Sequence, residues 1–219
     1  MGSPGPGRRA QVVALAAGSL DRVHRFTAHS VFWEVDPLGA SFFDTVSEID
    51  KSVWLATRAR VQPTVGVSIA EAGSVHGAFA TVLFCPASEA PGAVRMPTAP
   101  ASRDAWLVTS LHIDSATRGL GWESVLLDSV IMAATDAGAP ALEVFGVRTG
   151  GEAPTGLTAE LRRHAPRIGL VDVPLLESAG FRVCADHPVI PRLRLSLPPS
   201  HDLLTAREIE DLLAQCPAG

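Results

Sequence analysis

Tyrosine is absent from this chain, and lysine occurs once, at Lys51, against 17 arginines. No phenol is therefore available for proton transfer. Cysteine is scarce too: Cys85, Cys184 and Cys216 are odd in number and far apart, with no C-x-x-C pair and no Cys/His cluster. That spacing supports neither a disulfide framework nor a zinc or other metal site, and it fits a reducing cytoplasm. No apolar run reaches the roughly 18 residues that a membrane-spanning helix requires. Positive charge is in deficit, with a net charge of −5, which argues against the basic footprint of a sequence-independent nucleic-acid binder. The short basic spots Arg8-Arg9 and Arg162-Arg163-His164 read as solvated surface.

What is present is an ordinary globular composition, 47% hydrophobic and 19% charged. Its 219 residues suffice for one well-buried domain with decorations. Residues 1–10 are Gly/Pro/Ser-rich and read as a loose tail, 11–197 as a single domain, and 198–219 as a C-terminal helical extension set off by Pro198-Pro199. In that extension Thr205-Ala206-Arg207-Glu208 forms a capping box, and Ile209, Leu212 and Leu213 give the helix an apolar face.

The rest of the chain is organised around 105–127. Residues 106–113 are apolar and β-rich, with no internal Gly or Pro, and predict a strand. A polar turn at 114–117 leads to Arg118-Gly119-Leu120-Gly121. Trp122, Val125, Leu126, Ser129, Val130, Ala133 and Ala137 then recur at helical spacing, and Gly138 and Pro140 end the helix. A Gly-containing loop that opens a helix after a strand is suited to anions. The first amides of the helix have no intrahelical acceptor, the dipole favours negative charge, and glycine lets a phosphate approach the backbone.

On either side, 12–16 reads as a first strand, with Ser19 as N-cap of a short helix to about residue 29. Val31-Phe32-Trp33 forms an apolar cluster, and Asp36-Pro37 opens a second helix whose stripe is Leu38, Phe42, Val46 and Ile49. Residues 52–60, 65–70 and 75–84 read as strands, and 86–104 as a long Pro-rich segment that covers an acceptor site or crosses over without contacts. Beyond the central helix, 141–147 predicts a strand parallel to 106–113 by a right-handed crossover. A long connection follows, with a helix at 157–164, then a short helix at 172–179 and strands at 181–185 and 192–197.

Arg118-Gly119-Leu120-Gly121-Trp122-Glu123 resembles the Q/R-x-x-G-x-G/A signature of the GNAT superfamily of acyl-CoA-dependent N-acetyltransferases. Leu111-His112-Ile113 resembles the central strand of that family, and Leu176-Glu177-Ser178-Ala179-Gly180-Phe181 its later Y-E-x-x-G-F element, in the same order. The resemblance spans roughly 52–197. It implies an α/β fold: a GNAT-like twisted mixed β-sheet with helices on both faces and a splayed parallel strand pair in the centre.

The function implied is transfer of an acetyl or other short acyl group from coenzyme A to an amine, with acetyl-CoA as cosubstrate and no metal. The backbone of Leu111 and Ile113 would meet the acyl arm, and Arg118, Gly119, Leu120, Gly121, Trp122, Glu123 and Ser124 the pyrophosphate. Trp33, Phe42 and Phe43 fall where the family borders its acceptor groove, although core packing is the default for each. The partners expected are a coenzyme A thioester and an amine, with neither nucleic acid nor membrane; association as a homodimer is left open.

Two positions depart from the pattern. Glu123 stands where the family has a small residue, and Leu176 where it has a tyrosine. A degenerate, non-catalytic GNAT-fold binding or regulatory protein is therefore the alternative. Glu143 points away from Leu142 and Val144; it is either a desolvated base in the cleft or a strand carboxylate that is solvated or paired with an arginine. His112 is either a base or a hydrogen-bonded sheet-face histidine, and Cys184 an acid, a reactive thiol or a small buried residue.

Overall fold

The computed structural model describes residues 9–34, 47–150 and 154–216. Its strands are β1 (Ala10–Leu15), β2 (Gly66–Glu71), β3 (Ala80–Pro86), β4 (Trp106–Ile113), β5 (Ala141–Val147), β6 (Val171–Asp172), β7 (Arg182–Ala185) and β8 (Arg192–Ser196). They form one mixed sheet in the order β1-β2-β3-β4-β5-β8-β7, with β6 attached to β5. The helices are α1 (Arg25–His29), α2 (Glu48–Arg58), α3 (Trp122–Asp136), α4 (Gly156–Ile168), α5 (Val173–Ser178) and α6 (Ala206–Leu213).

The sheet divides the core. On one face, Trp122, Val125, Leu126 and Val130 of α3 pack with Leu176 of α5 and Leu213 of α6 over Val67, Val82 and Val144. On the other, Leu161 and Ile168 of α4 pack with Phe32, Trp33, Leu107 and Phe145, and Leu55 of α2 packs with Leu15 and Leu83. Helices thus cover both faces, as expected for an α/β sheet whose central strands are buried.

One relationship positions everything else. β4 and β5 pair in parallel only through Trp106–Leu142, Leu107–Glu143 and Val108–Val144. Beyond Val108 the strands part: β4 stays paired with β3 through Ile113, while β5 continues against β8 through Phe145. A gap therefore opens at the C-terminal end of the parallel pair, where α/β sheets bind their ligands.

Several expectations need correction. Residues 52–60 lie mostly in α2, not in a strand, because Ser47 caps the helix through Asp50 N–H and Glu48 and Asp50 favour its first turn. Ile49 is 76% exposed, so it is no part of a buried stripe. That role falls to Leu55 and to the stem of Lys51, whose ammonium lies 2.6 Å from Glu34 Oε1. The other members of the predicted stripe, Leu38, Phe42 and Val46, and the groove candidate Phe43 lie outside the described residues.

Ser19 does not cap α1. Its hydroxyl closes a turn onto Ala14 O and the Ala16 amide, and the cap of α1 is His24. β3 starts at Ala80 rather than near 75, after Gly77 at a φ of 71°. The 86–104 segment is no contactless crossover. It holds two short 3-10 turns, Ala87–Glu89 and Pro91–Arg95, and buries Ala90, Ala93 and Met96 against Phe32 and Trp33.

Candidate functional site

The site is built from the end of β4 outwards. Asp114 N–H donates to Phe79 O on the β3 side, and Leu111 N–H donates to Gly169 O on the opposite side. Backbone groups alternate along a strand, so those of Ile113 share the side of Leu111 and face the gap. Residues 115–117 make one 3-10 turn, and Gly119 and Gly121 follow at φ values of 76° and 80°, a region an L-residue rarely adopts. This left-handed double step turns the chain from β4 into α3. No side chain caps α3, whose first internal bond runs from Val125 N–H to Gly121 O. The preceding amides of its first turn are the unsatisfied donors of an anion-binding helix end.

A cleft of about 370 Å³ occupies the gap. It is lined by Leu111, His112 and Ile113 of β4, Arg118, Glu123 of α3, Arg148, Arg162 of α4, and Asp172 and Leu175 at the start of α5. The predicted site residues divide. Leu111, Ile113, Arg118 and Glu123 line this cleft. Gly119 faces open space, since a Cβ there would meet nothing within 4 Å. Gly121 lies under Leu212 of α6, and Leu120 packs on the core. Trp122 is wholly buried, with its indole N–H donated to Leu212 O at 3.1 Å.

Ser124 lines a different cavity of about 700 Å³, between α3, α5 and the 201–208 segment. That larger cavity carries Asp128, Asp202 and Glu208 and no residue of β4 or β5, so an acyl group at the splay would not lie within it.

Glu143 is not a free base. Its side chain is fully buried, one oxygen takes Arg194 Nη1 at 3.0 Å, and the other takes Arg192 Nη1 at 3.1 Å and Ser102 N–H at 3.0 Å. Both oxygens are committed where β4 and β5 are still paired, away from the cleft. His112 is equally spoken for: Nε2 donates to Arg167 O at 3.0 Å, so Nδ1 accepts from the Thr27 hydroxyl at 3.0 Å. Burial pushes its pKa down to about 3, which keeps the ring neutral. Cys184 is exposed on the edge strand β7 rather than buried, and partial desolvation raises its thiol pKa. Trp33 belongs to the core, 1% exposed and stacked on Phe145.

Sequence inspection missed Arg148 and Arg162. Arg162 was assigned to solvated surface, yet it turns into the cleft. Their arginine character was visible; that the long connection folds back over the gap was not.

Neither a family model nor a curated protein matches this chain. Solved structures do match by fold. An N-acetyltransferase from Staphylococcus aureus Mu50 superposes at a TM-score of 0.50 with 15% identity, over 86% of this chain and 98% of the other. An assigned acetyltransferase from Salmonella typhimurium, solved with its cofactor acetyl-CoA, gives 0.52 and 14%, over 90% and 99%. Another from Acinetobacter baylyi ADP1 gives 0.51 and 12%, over 89% and 96%. The chain has the GNAT fold, with the parallel β4–β5 pair at its centre. No metal-holding group of three or more His, Cys, Asp or Glu occurs among the described residues. No described helix is long and apolar enough to cross a membrane.

Proposed function

We propose that this chain transfers an acetyl or other short acyl group from coenzyme A to an amine. The observation that carries the reading is the junction of the strand gap with the uncapped N-terminus of α3. A gap edged by the backbone of Leu111 and Ile113 runs into a helix end reached through two left-handed glycines. A thioester arm beside β4 would place its diphosphate against the amides of Trp122, Glu123 and Ser124, with Arg118 and Arg162 adding positive charge. Glu123 opposes this in part, although an acidic residue in a first turn is itself favoured by the dipole.

In the transfer the amine nitrogen forms a bond to the thioester carbonyl carbon, the carbon–sulfur bond breaks, coenzyme A leaves as the thiol, and the amine gives up a proton. The chain contributes alignment of the two reactants and backbone donors for the carbonyl oxygen. With Glu143 and His112 committed elsewhere and no ionisable group at Leu176, the proton leaves to water. Such a donor implies a cytoplasmic setting.

One observation favours a second reading, a coenzyme A-binding protein without turnover: the Leu111 amide that would polarise a thioester is bonded to Gly169 O. Thiol release from acetyl-CoA with a panel of primary amines separates the two. Amine-dependent release supports the transferase; binding with no release above the hydrolytic background supports the second reading.

A further inference from the structure

The last three carbonyls of α4 and its cap are each held by a different part of the chain. His112 Nε2 donates to Arg167 O, Trp33 Nε1 donates to Ile168 O at 2.8 Å, and Leu111 N–H donates to Gly169 O at 2.9 Å. An α-helix leaves its final carbonyls without internal partners, and here those partners come from β4 (His112, Leu111) and from Trp33 of the core that includes Phe145 of β5. The approach is close enough to require glycine. Gly169 has a φ of 77°, and a Cβ on it would fall 2.7 Å from Ser110 Cβ and 2.9 Å from Leu111 N. Val171 and Asp172 then pair in parallel with Gly146 and Val147 of β5. The segment thus runs down the gap bonded to β4 on one side and β5 on the other, much as an extended ligand would.

We propose that 167–172 is a displaceable plug, an intramolecular occupant of the gap whose hold on Leu111 is exchanged for a thioester arm. The proposal rests on the assignment of the gap to an acyl arm. Ile168 and Val171 remain packed in the core, and what is exchanged is the Leu111–Gly169 bond, a single hydrogen bond of small net worth. Apparent ligand affinity is then reduced by the fraction of molecules with the plug in place.

Amide exchange by NMR on the full chain tests this, because Leu111 N–H faces the plug while His112 N–H faces β3. Wild type, Gly169→Ala and Trp33→Phe are compared, each with and without acetyl-CoA. In the wild type, Leu111 should exchange at least tenfold faster than His112. Gly169→Ala should speed Leu111 about tenfold further, leave His112 unchanged and tighten acetyl-CoA binding several-fold. Trp33→Phe removes the donor to Ile168 O without entering the gap and should act in the same direction, should the alanine variant fail to fold.

Equal exchange of Leu111 and His112 in all the proteins would overturn the plug, as would acetyl-CoA affinity that stays constant while Leu111 exchange rises. Local opening of Leu111 with no acetyl-CoA binding in any variant would leave the plug standing and remove the coenzyme A assignment instead.

Discussion

Glu143 on β5 and Arg194 on β8 stand directly opposite in register, with 3.0 Å between Oε1 and Nη1, and the carboxylate has no contact with solvent. Arg192 completes a two-guanidinium clamp, and Arg194 extends it to Asp104 at 2.6 Å, tying the 86–104 segment to the sheet.

Glu143→Gln should therefore be a stability variant and not a catalytic one. Removing one partner of a buried ion pair costs about 3 kcal/mol or more, because the remaining charges lose their compensation. Urea unfolding should show that loss, while acetyl-CoA affinity and any turnover per folded molecule stay near wild type. A fully stable variant with abolished turnover would return Glu143 to the role of base.

Acid sensitivity should begin near neutrality. His112 is held neutral by burial, with a pKa of about 3 against an ordinary 6.5, and burial lowers that of buried His24 as well, partly offset by Asp114. The unfolded chain thus binds more protons than the native one below pH 6.5. The stabilising contribution is complete above that value and, for His112, is lost as pH falls from 6.5 towards 3, at up to about 1.4 kcal/mol per pH unit, with His24 acting in the same direction. Urea midpoints should fall between pH 7 and pH 5, and His112→Gln should flatten that slope.

The C-terminal segment should behave as part of the domain rather than as an appendage. Leu213 is 7% exposed in the α3-side core, Leu212 covers Gly121, and Leu204 N–H donates to Asp128. Leu213→Ala should cost about 2–3 kcal/mol, in the range of buried Leu truncations. Ending the chain at 199 should lower cooperativity of unfolding and expose Trp122, read as a red shift of its fluorescence.

Much of this was legible locally. The 106–113 strand is β-rich and largely apolar with no breaker, and the structure bounds β4 at those same residues. The capping box at Thr205 is satisfied in both directions. Residues 52–60 misled because Val53 and Trp54 favour strands, whereas Ser47 and its acidic neighbours set the helix. The Glu143 clamp left a trace that was overlooked: R-L-R-L places Arg192 and Arg194 on one face of β8, opposite an isolated strand carboxylate. The contact of Gly169 with Leu111 left none, since 58 positions separate them and no period links a helix cap to a distant strand edge.

The central claim is that the β4–α3 junction holds an acyl-CoA. Calorimetry with acetyl-CoA, on the wild type and on Glu123→Gly, tests it most directly. The account predicts micromolar binding to the wild type, tightened severalfold in the glycine variant as the cleft loses the Glu123 carboxylate and keeps Arg118. Absence of binding to both proteins, each shown to be folded, would contradict it.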